Sequence, residues 1–186
     1  MPFELPAAIE SARLLVRLVE ETDLPQLLLV NGDDEVTRYV PYATWKSLAD
    51  AQAWYVRMSS LHAAGTTLQM VVVDKGSRQV IGTCLLFRYE RDSERAELGY
   101  VLGRPYWGQG YMREALRTLI AHAFGPLSLR RLEAEVDPRN ARSCQLLETL
   151  KFQSEALLRQ RWRTKGELCD TRIYGLLNQG FEYVVQ

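Results

Sequence analysis

Leu98-Gly99-Tyr100-Val101-Leu102-Gly103-Arg104-Pro105-Tyr106-Trp107-Gly108-Gln109-Gly110-Tyr111-Met112-Arg113-Glu114-Ala115 is the stretch on which the reading of this chain turns. It runs from a strand through a turn rich in Gly and Pro into an amphipathic helix. A turn of that kind aims several backbone N–H groups and the positive end of the helix dipole at one point, so an anion is expected there. Gly103 and Gly108 have the spacing of a nucleoside-triphosphatase P-loop, but Gln109 stands where that loop needs Lys and Gly110 where it needs a Mg-binding hydroxyl. A dinucleotide fingerprint over residues 108–113 puts Arg113 where close helix–strand packing demands a third Gly. Triphosphate and dinucleotide chemistry are both disfavoured.

Working upstream, the alternation in residues 13–19 predicts a first strand. Glu21-Thr22-Asp23-Leu24-Pro25 then starts a helix that ends near Asn31-Gly32. Residues 33–47 read as a short helix followed by loop. Ser47 opens another helix with Leu48, Ala51, Tyr55, Met58 and Leu61 on one face, closed by Gly65. The runs 67–73 and 79–88, joined by Asp74-Lys75-Gly76-Ser77-Arg78, read as an antiparallel hairpin, onto which strand 96–102 pairs.

Downstream, Tyr111, Ala115, Leu116, Leu119, Ile120, Ala123 and Phe124 make the apolar face of a helix that Gly125-Pro126 stops. Leu132-Glu133-Ala134-Glu135-Val136 alternates strictly and, coming after a helix, is expected parallel to strand 96–102. A further helix begins at Asp137-Pro138-Arg139-Asn140, and runs 155–163 and 168–177 form a last hairpin. No linker or repeat divides the chain, so a single domain over 1–186 is expected.

Composition narrows the partners. With 186 residues, 47% apolar and 25% charged, the chain is long enough for one sizeable core, burying about 70% of its unfolded surface. Lys plus Arg equals Asp plus Glu at 23 each, so no overall cationic field gathers nucleic acid or membrane. Cys84, Cys144 and Cys169 are odd in number and widely spaced. His62 and His122 have no second ligand at metal spacing, and Met1-Pro2-Phe3-Glu4-Leu5-Pro6 has no targeting pattern. A cytoplasmic protein without a metal, acting as a monomer or homodimer, is the expectation.

Trp107-Gly108-Gln109-Gly110-Tyr111-Met112, following Glu97-Leu98-Gly99-Tyr100, resembles the acyl-CoA pyrophosphate loop of the GCN5-related N-acetyltransferases (GNAT). Its variety is that of the Rim-type (RimJ/RimL-like) branch, whose enzymes acetylate ribosomal-protein N-termini. Trp107 takes the Arg/Gln position of the usual Arg/Gln-x-x-Gly-x-Gly/Ala pattern, and Met112 departs from its final small residue. Arg13-Leu14-x-x-Arg17, Asn140-Ala141-Arg142-Ser143, Leu150-Lys151-Phe152 and the Gly166, Asp170, Tyr174 set match in the same order, with Lys151 where the family usually has Gly, so that the resemblance runs along a core at about 10–178.

The resemblance implies an α/β (α+β) fold: a mixed, mostly antiparallel sheet of about seven strands with four or so helices, splayed at its two parallel central strands. It implies transfer of the acetyl group of acetyl-CoA to a primary amine by direct attack, without a metal. The acceptor is a protein N-terminal α-amine or, alternatively, a small-molecule amine such as a polyamine or aminoglycoside; a non-catalytic CoA-binding module is the other alternative. The pyrophosphate would rest on the backbone of Trp107, Gly108, Gln109, Gly110, Tyr111 and Met112. Tyr100, Val101 and Leu102 would offer main-chain groups to the pantetheine, and Asn140 would bond it or simply cap its helix.

Glu97 shares a strand face with Gly99 and Val101, and an interior carboxylate is costly unless it meets water, a cation or a substrate ammonium. It is the candidate general base, with an inert edge residue as the alternative. Ser143 fills the place of the helix Tyr that commoner relatives use as acid, and ordinary helix capping is its alternative. Tyr39, Tyr42, Trp45 and Trp54 line an acceptor pocket or pack the core, and Asp170 and Tyr174 are expected to be structural.

Overall fold

In the computed structural model, which describes residues 3–180, the period-two apolar runs build one mixed sheet. Its strands are β1 (Ile9–Glu10), β2 (Leu14–Leu18), β3 (Leu68–Asp74), β4 (Val80–Glu90), β5 (Arg95–Leu102), β6 (Arg131–Val136), β7 (Gln153–Thr164) and β8 (Glu167–Leu177). They lie in the order β1-β2-β3-β4-β5-β6-β8-β7, antiparallel throughout except for the parallel pair β5–β6. The helices are α1 (Leu24–Asn31), α2 (Asp34–Thr37), α3 (Leu48–Ala63), α4 (Tyr111–Phe124) and α5 (Ala141–Thr149). The eighth strand is the two-residue β1, which carries no pattern long enough to read. The remainder of the expected 1–186 domain, Met1, Pro2 and residues 181–186, lies outside the described residues.

Each face of the sheet carries its own helical layer. On one face α4 lays Met112, Ala115, Leu116, Leu119, Ile120 and Ala123 against Leu14, Met70, Ile81, Leu98 and Leu132. This spacing of three and four residues is the apolar stripe of a helix on a sheet. Helix α5 joins the same layer through Cys144 and Leu147. On the other face α1 and α3 cover Val71, Val73 and Val80 with Leu24, Leu27 and Ala51. The expected face of α3 is corrected in part: Ala51 and Met58 are buried, but Leu48 and Leu61 are exposed. Tyr55 packs as expected and Trp54 joins it, because the helix turns its aromatic side to α1.

Two features of this frame position the site. β5 and β6 pair only at Arg95↔Arg131, Ala96↔Leu132 and Glu97↔Glu133, and beyond that point they part. Helix α5 ends in a Schellman motif: Phe152 N–H donates to Leu147 C=O and Lys151 N–H to Glu148 C=O, with Lys151 held at φ 71°. A lysine therefore occupies the left-handed position that favours glycine.

Candidate active site

The turn after β5 is built to expose donors. Gly103 N–H closes on Ile81 C=O at 2.8 Å, residues 104–106 make one turn of 3-10 helix, and Gly108 and Gly110 take φ 73° and 79°. Those positive angles fold the chain back so that α4 starts directly on Gly110. Among the described residues, none of the backbone N–H groups of 108–113 finds an acceptor. Helix α4 adds the positive end of its dipole to this row.

Two guanidinium groups frame the row. A methyl group placed on Gly110 would meet those of Arg13 and Arg113 at 3.6 and 3.7 Å. Arg13 is held by Glu114 (Nε to Oε2, 2.7 Å), by Gln109 C=O (3.2 Å) and by the Tyr111 ring (4.3 Å). Burial works against ionisation of Glu114, yet bonds from Ser11 and Arg13 leave its carboxyl below the usual glutamate value. Arg13 thus lies beside the donor row, a position that its place in a start motif did not reveal. Met112 sends its side chain into the core and leaves its N–H in the row, so its departure from a small residue puts no bulk in the turn.

Gly103 N–H bonding back to β4 fixes the alternation of β5. The main-chain groups of Val101 face β4, and those of Tyr100 and Leu102 face the gap left by β6. The Leu102 C=O is taken by the Trp107 indole N–H at 2.7 Å. Of the three residues expected to face a ligand arm, Tyr100 presents both groups and Leu102 its N–H. Val101 does not face the gap, because strand alternation turns it away.

Across the gap, the Asn140 side chain caps α5 by accepting from Ser143 N–H at 3.2 Å, and its Nδ2 finds no acceptor among the described residues. The Ser143 Oγ lies 2.6 Å from the Tyr100 hydroxyl. Burial pushes the Tyr100 phenol well above its ordinary value, with Ser143 opposing, so the phenol keeps its proton at physiological pH. Strand alternation placed Tyr100 opposite Glu97, but no sequence signal set the rotation of α5 that brings Ser143 to it. Arg142, the residue before Ser143, stacks over the Trp107 ring at 4.8 Å and ties α5 to the donor turn.

On the other face of β5, Glu97 is 5% exposed and accepts from Arg88 Nη1 at 2.9 and 3.2 Å. The cation that its burial demanded is thus a neighbouring side chain. Glu135 of β6 lies 3.7 Å from the same guanidinium and accepts from Arg161 (3.0 Å) and the Trp162 indole (2.9 Å). Neither Arg88 nor Glu135 stood out in the sequence.

The expected aromatic pocket divides. Trp45 is buried and packs on Trp54 at 5.4 Å, Tyr42 donates to Asn31 at 2.7 Å, and Tyr39 lies by Arg139 at the hairpin. Asp170 accepts from Gln160 N–H within the β7–β8 hairpin and Tyr174 is buried against Glu148. His122 is buried on α4, away from these groups. No helix among the described residues is long and apolar enough to cross a membrane.

Residues 13–153 match the family model described as "Acetyltransferase (GNAT) domain". The chain is 36% identical over 169 residues to an uncharacterized N-acetyltransferase, p20, of Bacillus licheniformis, spanning 91% of this chain and 95% of that protein. It is 28% identical over 166 residues to the [ribosomal protein uS5]-alanine N-acetyltransferase of Escherichia coli, covering 81% and 84%. The fold superposes, with a TM-score of 0.80, on spermidine N-acetyltransferase from Vibrio cholerae in complex with CoA and spermine; identity is 20% over 91% of this chain and 98% of that one.

Proposed function

Because the chain belongs to the GNAT family it is an acetyl-CoA-dependent N-acetyltransferase, and we infer that it acetylates an α-amine at a protein N-terminus. Acetyl-CoA supplies the acetyl group as a thioester. The residues that would hold it fit: the free N–H row of 108–113 with Arg13 and Arg113 suits a pyrophosphate, and Tyr100, Leu102 and Asn140 Nδ2 suit an amide-bearing arm. The likeness to an alanine N-acetyltransferase of a ribosomal protein supports a protein acceptor.

One observation carries the assignment of roles. Glu97 and the Tyr100–Ser143 hydroxyl pair lie on opposite faces of β5, three residues apart, roughly 10 Å along the strand. A base and an acid separated in this way serve two different atoms instead of neutralising each other. Glu97 takes a proton from the acceptor ammonium. The amine nitrogen attacks the thioester carbon and, as the C–S bond breaks, gives its second proton to water, while Ser143, hydrogen-bonded to Tyr100, gives a proton to the departing sulfur. Ser143 regains a proton from water, and the net products are the amide, free thiol and one proton.

The test follows thiol release from acetyl-CoA with peptide N-termini, spermidine and an aminoglycoside, for wild type and Glu97→Gln, with CoA affinity measured in parallel. Turnover of peptides, lost in Glu97→Gln while CoA still binds, is the expected outcome. Peptides left untouched while spermidine is acetylated would overturn the acceptor reading. Undiminished turnover in Glu97→Gln would remove the base assignment.

A further inference from the structure

Arg88 is held in an unusual way for a strand residue. β4 and β5 are in register at Phe87↔Glu97 and again at Glu90↔Arg95, so β4 has one residue too many between those points. The bulge leaves Arg88 at φ 50°. Nothing in Phe87-Arg88-Tyr89-Glu90 invites this: none of the four residues is the glycine that such a backbone favours. Bulges of this kind re-aim a side chain, and strain on a non-glycine residue persists where the surroundings hold it. Here the bulge takes a side chain that strict alternation would send toward α4 and delivers its guanidinium to Glu97 and Glu135 on the other face.

A cation therefore already sits on the carboxylate to which the acceptor ammonium must come. When the acceptor arrives, one cation replaces the other. Glu135 keeps the Arg161 and Trp162 bonds, but Arg88 is left without a hydrogen-bonded anion, because its contact with Glu135 at 3.7 Å is too long for one. The guanidinium is half-exposed, so it can turn. On its far side lies a cavity of about 580 Å³ between the end of α3 and the turn that joins β4 to β5, lined by Leu61, Thr66, Thr67, Phe87, Arg88 and Arg95. Glu90, also on its wall, is occupied by Arg95 at 3.1 Å.

The ion pairs around Glu97 set the charge of what can enter. Glu97 and Glu135 face Arg88 and Arg161, two carboxylates to two guanidinium groups, so the group is neutral before the acceptor arrives. An ammonium that brings a carboxylate of its own keeps it neutral, whereas an acceptor with several ammonium groups does not.

We propose that the acceptor carries a carboxylate close to its reacting amine: the ammonium displaces Arg88 from Glu97, and Arg88 turns to bind the carboxylate beside the cavity. This rests on the acetyltransferase reading of the site and deepens it to a substrate class. The carboxylate has two sources, the side chain of an acidic residue near a peptide N-terminus or the main-chain carboxylate of a free amino acid.

Initial rates of thiol release at saturating acetyl-CoA separate these sources and test the class. The acceptors are Ala-Asp-Ala-amide against Ala-Asn-Ala-amide, phenylalanine against phenylalaninamide, and spermidine. At least one carboxylate member of these pairs should exceed its amide partner by tenfold or more in kcat/KM, carried by KM, and the pair that does so names the source. In Arg88→Gln that ratio should fall to within about twofold, and Arg88→Lys should restore part of it. Equal kcat/KM within both pairs, spermidine as the best acceptor, or an unchanged ratio in Arg88→Gln would overturn the proposal. If Arg88→Gln fails to fold, the wild-type ratios and Arg88→Lys still decide. Amide acceptors turning over as fast as their acids sinks only this inference, whereas no turnover with any amine sinks the amine-acetylation reading with it.

Discussion

Replacing Gly110 or Gly108 by alanine separates backbone strain from loss of the anion site. Both residues have positive φ, 79° and 73°, so each alanine costs about 1–2 kcal/mol of stability. Neither meets a clash: a Cβ at 110 would touch only Arg13 and Arg113 Nη2 at 3.6 and 3.7 Å, and at 108 nothing lies within 4 Å. In a chain of this length each variant should therefore melt roughly 2–8 °C lower, at about 2–4 °C per kcal/mol. Affinity should split them. The methyl at 110 stands between the two guanidinium groups in front of the free N–H row, where it keeps a phosphate from at least one charge-assisted bond worth about 1.5–3 kcal/mol. That corresponds to a CoA Kd raised roughly 10- to 150-fold, whereas Gly108→Ala should stay within about threefold. Calorimetric titration with CoA, beside urea unfolding, reads both quantities. An unaltered Kd in Gly110→Ala, or the same loss in both variants, would refute the reasoning.

Lys151→Gly relieves the left-handed residue of the α5 Schellman motif and should stabilise by about 0.5–1 kcal/mol after the extra chain entropy of glycine, read as a Tm rise of about 1–4 °C; a fall would mean that the Lys side chain holds the motif. The folded-state pKa of Glu114 lies below the ordinary 4.5, so its contribution is present above that value and is lost as pH falls through the lower, folded one. Urea unfolding from pH 6 to 3 should accordingly show a shallower acid loss in Glu114→Gln than in wild type, and identical slopes would contradict the linkage. Tyr100→Phe removes the hydroxyl 2.6 Å from Ser143 and should lower kcat about tenfold with CoA affinity kept; an unchanged kcat would show that the pair does not assist the leaving sulfur.

The turn before α4 was legible in the sequence because its information is local. Glycines that need positive φ, a proline, and a helix beginning directly after them act within a few residues of one another. The face of Glu97 was legible for the same reason, since alternation needs only one strand. The Tyr100–Ser143 contact was not, because it depends on how α5 rotates over β5, and that is set by Cys144, Leu147 and Leu150 settling into a core built by other segments. The bulge at Arg88 was hidden more deeply: a sequence of ordinary strand formers adopts an angle that its residue types disfavour, held by the ion pairs it makes. The gap between β5 and β6 gave no local sign either, since both runs read as good strands and only their register shows where pairing stops.

That gap has a mechanical side. On hydrogen bonds the sheet is two pieces hinged at three residue pairs, yet one apolar layer, with α4 along it, runs beneath both pieces. The strands are free of each other at their edges and fastened together from below, like two planks on a common joist. An extended molecule can lie between them without breaking a strand-to-strand hydrogen bond, and the apolar layer beneath helps to set the width of the slot. Wear on the joist, through cavities cut in α4, would show first as a slot of the wrong width and only later as a protein that no longer folds.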